Sequence, residues 1–439
     1  MPIFVFLVFC LSALMAVPVC ECDNGLKIPV KIHRLSPDVL SLQRESIQAK
    51  AEMYSKKSQG LPINPKFKQS ASSSINLNAT DIWVYIANIT VGTPGQVLTV
   101  IVDPWRDQEL CILGTANIFD SDIQQRNFYD SSKSNTSEIV VGLQGKFVTE
   151  KCGRGKIGVD LVNIGKSSMK MAFGVIEEAA HFPKGHKIDG IIGINPFSGV
   201  VGDPRRNIPQ SAISQLLSQL DYPIMTWWQN KTDYENSYKE MTAQLTLGVE
   251  DTEHCEAPYV YVPNEEERME SYGGTYPVHV TSADLEGDSS GRKEMKFELN
   301  GTLQFWHMES TIYTPPSFFY ALTNATNAEY KSSVNKYVVD CDLSKHRNIT
   351  LNVGGSGHTE DATSRKIVLT PPEFGVSYET RDNVCYLEVI IGSEDCQTIE
   401  LGQSFLNKHC LAYNAKDGTV GFSDVKPKSS EDYEYSAEI

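Results

Sequence analysis

The sequence predicts a mostly-β protein built of two sandwich- or barrel-like units. Three observations carry this. Short apolar–polar alternations bounded by Gly, Pro and Asn recur from residue 80 onward. Helical periodicity is confined to two brief stretches. At 439 residues the chain also exceeds what one compact domain ordinarily holds.

The first strand pair is the clearest. "WVYIANITVGTPGQVLTVIVD" (83–103) alternates on both sides of a Gly-Thr-Pro-Gly turn, the pattern of a β-hairpin. "GKIGVDLVNIG", "KMAFGVI", "YPVHVTSADLEG", "KYVVDCDL", "RKIVLTP" and "DGTVGFSDV" repeat the texture. The helix candidates are "PQSAISQLLSQL" and "PPSFFYALTNA". "VGGSGH" (353–358) reads as a hairpin turn, since no helical pattern follows it, and Trp227-Trp228 as core residues of a crossover strand. An internal repeat is also visible. Asp103 is followed 90 positions later by an Ile-Ile-Gly ending at Gly193, and Trp306 is followed 96 positions later by a Glu-Leu-Gly ending at Gly402. Two such lobes would set their special loops face to face at a cleft.

Composition narrows the setting. A net charge of −16 argues against a nucleic-acid partner. Residues 1–20 form an apolar run shorter than a membrane span, ending in small residues, and read as a signal peptide; no later stretch spans a bilayer. Seven Asn-x-Ser/Thr triplets, at Asn78, Asn88, Asn135, Asn230, Asn300, Asn324 and Asn348, agree with a secretory route. Eight cysteines beyond Cys20 fit an oxidising compartment. Their wide spacing and the lack of paired-His spacing give no metal site, and nothing calls for a cofactor. Residues 21–70 carry nine Lys/Arg against five Asp/Glu on an otherwise acidic chain, as a docked prosegment would, with an ordered part near 26–54 and a linker near 55–75. The tail "SSEDYEYSAEI" reads as a solvated acidic end.

From about residue 80 to 424 the chain resembles the pepsin-like aspartic proteases, with the flavour of the secreted nematode members. "YIANITVGTPGQVLTVIVD" is similar to the first lobe leading to the first catalytic Asp. "KIDGIIGINP" is similar to the family's Asp-Gly-Ile-Leu-Gly turn, and "LGQSFLNKHCLAYNAKDGTVGFSDV" to its closing strands. The resemblance implies a bilobal fold of two similar β-barrel-like lobes around a central cleft. It implies 1–20 as signal peptide, 21–75 as basic prosegment and linker, 76–245 as the N-terminal lobe, 246–425 as the C-terminal lobe and 426–439 as acidic tail. It further implies the disulfides Cys341–Cys385 and Cys255–Cys410, and a tie from Cys111 to Cys152 at the base of the flap. Cys22 and Cys396 match nothing in the family.

The family's reaction needs two Asp side chains that share a proton across a water, the standing example of a coupled carboxylate pair. Here the first loop reads Asp103-Pro104-Trp105-Arg106. Pro104 lacks a hydroxyl and an N–H, Trp105 sets an indole where the family has a glycine, and Arg106 is placed to hold Asp103 ionised. The loop is also one residue long before Leu110-Cys111. In the second loop, "GTLQFWHMESTIYTPP", the Asp position is Trp306, which neither donates nor accepts the acidic proton. His307 or Glu309 would be an unorthodox replacement, and Glu309 lies three residues too far along a tight loop. Counting back from Asp160 sets the flap tip on Val148-Thr149-Glu150-Lys151, without the family's Tyr or hinge glycines.

The expectation is therefore a secreted or endomembrane-lumenal, monomeric, catalytically dead homologue made as a zymogen-like chain, with peptide or protein binding in the cleft left open. Asp103, Trp105, Val148, Thr149, Trp306 and Glu309 are its cleft and flap positions. The alternatives are an active acid endopeptidase with a substitute partner for Asp103, and a structural or decoy glycoprotein with a filled cleft.

Overall fold

The computed structural model describes residues 73–79, 85–103, 110–115, 126–139, 146–149, 152–165, 167–178, 187–195, 211–230, 242–265, 275–288, 291–305, 312–354, 364–379, 384–392 and 397–427. The signal peptide, the prosegment up to residue 72, the end of the acidic tail, Cys22 and Cys396 lie outside them.

The first half contributes β1 (Ser73–Ala79), β2 (Tyr85–Val91), β3 (Gln96–Asp103), β4 (Leu110–Leu113), β5 (Glu138–Ile139), β6 (Lys146–Thr149), β7 (Gly153–Ile164), β8 (Ser167–Glu178), β9 (Gly190–Gly193), helix α1 (Ala212–Leu217), β10 (Ile224–Asn230) and β11 (Thr242–Leu247). The second half contributes β12 (Val260–Pro263), β13 (Thr275–Leu285), β14 (Met295–Phe305), β15 (Ile312–Thr314), α2 (Pro316–Thr326), β16 (Glu329–Lys331), β17 (Lys336–Val339), β18 (Ile349–Val353), β19 (Arg365–Leu369), β20 (Val376–Glu379), β21 (Val384–Leu387), β22 (Val389–Ile391), β23 (Thr398–Leu401), α3 (Gln403–Leu406), β24 (His409–Asn414) and β25 (Thr419–Asp424).

The hairpin β2–β3 forms because alternate residues of β2 (Tyr85, Ala87, Ile89, Val91) turn inward while Asn88 faces out. Its reversal begins at Gly92, whose φ of +89° and contact with Ser134 leave no room for a side chain. β2, β3, β9, β4, β8 and β7 follow one another by hydrogen bonding, and β7 pairs back onto β2, closing a six-stranded barrel. In the second half, β19-β18-β13-β14-β23-β15-β22 make a seven-stranded sheet, and β16-β17-β21-β20 a smaller one. α2 packs Phe318, Ala321, Leu322 and Ala325 against the larger sheet, starts at Pro315-Pro316 and stops at Asn327 in the left-handed region.

The two halves are joined through a continuous run of strands, β12-β25-β24-β10-β11-β1. β10 supplies its centre, with Met225 and Trp227 buried. The lobe division drawn at 245/246 falls inside β11, and a boundary at 76 falls inside β1, which begins within the segment read as linker. Both strands belong to the shared run. The apolar core is likewise continuous from Val91 and Leu110 to Leu351 and Phe422.

Oxidative pairing is present. Cys255–Cys410 ties the crossover to β24, and Cys341–Cys385 links β21 to the turn after β17. Cys111–Cys152 sits in a satellite core with Leu113, Ile157, Ile176 and Ile191.

Candidate functional site

β3 delivers Asp103 to the end of the barrel. β9 runs parallel to β3, with Val102 opposite Ile192 and Asp103 opposite Gly193, and the Ile194 amide donates to the Asp103 carbonyl at 2.9 Å. The approach of β9 is fixed by Asp189, which is fully buried. Its carboxylate accepts from the backbone amides of Thr99 and Asn127, each at 2.8 Å, while its own amide donates to Thr99 O at 2.7 Å. β4 then packs antiparallel on β9, Cys111 opposite Ile191. Gly190 is required there, because a Cβ would stand 2.5 Å from Cys111 O.

The second half repeats this arrangement. β14 runs parallel to β23, ending with Phe305 opposite Leu401, and β15 packs antiparallel on β23 with Tyr313 opposite Glu400. Gly193 is the residue after Ile192 and Gly402 the residue after Leu401, so sequence position 306 corresponds to position 103. By the same count Cys111 corresponds to Tyr313. Eight steps separate Asp103 from Cys111 and seven separate 306 from Tyr313, so the first loop is one residue longer. Trp105, Trp306 and Glu309 themselves lie outside the described residues, as do Pro104, Arg106 and His307.

A contact that no local pattern announces crosses between the halves, one hydrogen bond away from Asp103. Tyr276, at the start of β13, donates its hydroxyl to the Ile194 carbonyl at 2.8 Å. The ring is buried against Tyr413, and burial, reinforced by that neighbour, pushes its phenol well above the ordinary range. It therefore stays a neutral donor.

The hairpin read as the flap is β6–β7. Val148 lies in β6 opposite Arg154, and Thr149 opposite Gly153. The chain thus reverses between Thr149 and Gly153, one to two residues beyond the tip counted from Asp160. Cys152 falls at this reversal rather than at the base, is fully buried, and is bonded to Cys111 of β4. The turn end of the hairpin is covalently fastened to the strand that leaves the Asp103 loop. At the other end of β7, Asp160 is buried and holds the barrel wall. It accepts from Tyr129 OH at 2.7 Å, Thr136 Oγ1 at 2.6 Å and the Leu161 amide at 2.7 Å. Burial pushes this carboxyl up, but those donors outweigh it and hold it below its ordinary value.

Among the described residues, no group of three or more His, Cys, Asp or Glu side chains is arranged to hold a metal ion, and no helix is long and apolar enough to cross a membrane.

Comparisons with known proteins agree with this geometry. The sequence profile of the family described as "Eukaryotic aspartyl protease" matches residues 84–425. Aspartic protease 1 of Caenorhabditis elegans is 25% identical over 358 residues, covering 78% of this chain and 83% of that protein. Aspartic protease 2 of Necator americanus is 22% identical over 468 residues, covering 94% and 98%.

Proposed function

The chain belongs to the eukaryotic aspartyl protease family, and on that premise we propose that it is a secreted, catalytically inactive member whose interlobe cleft is kept for binding peptide or protein. The observation that supports this reading is that β14 reaches Phe305 beside Leu401 as β3 reaches Val102 beside Ile192, and the residue that follows is Asp103 in one half and Trp306 in the other. Hydrolysis by this family needs one carboxylate to take a proton from water while the other gives one to the scissile carbonyl. An indole N–H is too weak an acid for the second task and has no lone pair for the first. Asp103 itself precedes Pro104, which has no amide hydrogen to donate.

The secretory part of the reading rests on the apolar leader, the seven glycosylation triplets and the disulfides. A chain without activity cannot remove its own prosegment, so residues 21–70 stay attached unless another protease acts.

The test uses the purified full-length secreted chain and a peptide mixture at acid pH, with Asp103→Ala alongside. The expected result is no cleavage above the Asp103→Ala background, together with retention of a subset of peptides by the immobilised protein. Cleavage that disappears in Asp103→Ala overturns the reading. Tight binding of a statine-type inhibitor, which requires a paired dyad, does so as well.

A further inference from the structure

Helix α2 buries Phe318, Ala321, Leu322 and Ala325 and turns Tyr320 outward, 60% exposed. Tyr320 heads a row of aromatic rings on the outer surface of the second half. Phe319 lies 6.3 Å from it, centroid to centroid, Tyr337 of β17 4.9 Å from Phe319, and Tyr330 of β16 5.2 Å from Tyr337. Tyr330 is 53% exposed. A row of contiguous aromatic rings exposed at both ends marks a place that something covers.

The occupant is indicated one helical turn on. Asn324 stands four residues after Tyr320, so the two side chains are neighbours on the helix surface. It opens the triplet Asn324-Ala325-Thr326. Its Nδ2 is at the surface and donates to the Tyr320 carbonyl at 2.7 Å, which holds the amide beside the ring. Asn88, Asn135, Asn300 and Asn348 are exposed, but none of them stands four residues along an α-helix from an exposed aromatic ring. We propose that Asn324 carries an N-linked glycan and that its first N-acetylglucosamine rings lie over Tyr320 and Phe319, the apolar faces of the sugars against the aromatic rings.

In forming it, the Asn324 amide nitrogen attacks the anomeric carbon of a lipid-pyrophosphate-linked oligosaccharide. The new bond is C–N, the bond broken is that from the anomeric carbon to the pyrophosphate oxygen, and the lipid pyrophosphate leaves. One amide proton is lost, and the one that remains still serves the Tyr320 carbonyl. Thr326 is buried and donates to the Leu322 carbonyl at 2.9 Å in the folded helix. The transfer therefore precedes folding of α2, when the Thr326 hydroxyl is still accessible.

This inference rests on the secretory reading above but not on the loss of activity. It is tested on the full chain secreted from a glycosylating eukaryotic host, by peptide mapping of all seven triplets and by tyrosine iodination. The expected result is a glycan on Asn324. Iodination of Tyr320 is expected to be low in the native glycoprotein and after trimming to one N-acetylglucosamine, and to rise severalfold on complete enzymatic removal. Asn324→Gln should iodinate like the fully deglycosylated protein. A bare Asn324 with glycans on other triplets overturns this proposal alone. Equal iodination of Tyr320 with and without the sugar overturns the stacking on which it depends. All seven triplets bare would overturn it together with the secretory reading.

Discussion

The hydroxyl of Tyr276 donates to the carbonyl of Ile194 at 2.8 Å, joining the second half of the chain to the residue whose own amide holds Asp103. Two hydrogen bonds thus separate a side chain of one half from the backbone of the other half's surviving acidic position. Tyr276→Phe removes the donor and leaves the Ile194 carbonyl buried. The expected loss is about 1–2 kcal/mol in denaturant unfolding, with unchanged far-ultraviolet circular dichroism. A variant as stable as the parent would mean that the contact is not sustained in solution.

The Cys111–Cys152 tie closes a loop across 41 residues. Replacing both cysteines by Ser should cost about 3–4 kcal/mol by the chain-entropy argument. Amide exchange should rise specifically in Lys146–Gly153, the segment that the bond fastens. Equal protection of this hairpin in the two proteins would show that side-chain packing alone keeps it down.

His409 stands between two carboxylates, Glu373 Oε1 at 2.7 Å and Asp424 Oδ1 at 3.0 Å, with Phe405 stacked at 4.3 Å. Burial pushes the imidazole down, but hydrogen bonds to Asp424 and Glu373 outweigh it and raise it above its ordinary value. The bond to His409, the largest influence on Asp424, lowers that carboxyl despite its partial burial. The raised His contributes stability that is complete below its unfolded pKa, ~6.5, and is lost as pH climbs through the folded value. The lowered Asp424 contributes stability present above ~3.9 and lost as pH falls through its folded value. The pair therefore favours mildly acid conditions. His409→Leu leaves Glu373 buried without its cation. It should lower the melting temperature most between these limits, by about 3 kcal/mol in stability, and flatten the alkaline arm of the stability profile.

Intact mass of the secreted protein gives a fourth check. In a host lacking secreted proteases, the chain and its Asp103→Ala variant should have the same N-terminus after loss of the leader, with residues 21–70 retained. A shortened N-terminus in the parent alone would reveal self-processing.

Much of this fold can be read from the residues because its strands are punctuated by turn chemistry. Gly92-Thr93-Pro94-Gly95 fixes the β2–β3 reversal, and the two apolar stretches ending in Gly193 and Gly402 mark strands that pair in parallel with β3 and β14. The first loop reads as one residue too long before Leu110-Cys111 through the family resemblance alone. What local pattern does not carry is contact at long range. Tyr276 has no neighbour in sequence that announces Ile194, 82 residues away. The Cys111–Cys152 pair, by contrast, was legible through the family resemblance and is present.

The shared sheet sets the order in which the protein can be finished. β10 ends at Asn230, while β24, which covers its free edge, begins at His409. At ribosomal speeds of ~5–20 residues per second the two are separated by about 10–40 s of synthesis. For that interval the joining run, with Met225 and Trp227 of β10 buried in the finished protein, presents an unpaired strand edge. The closing strand then arrives with Cys410, which bonds to Cys255. The last strands to be made are thus the seal on the joining run, and a chain stopped short of β24 would leave β10 with an open edge.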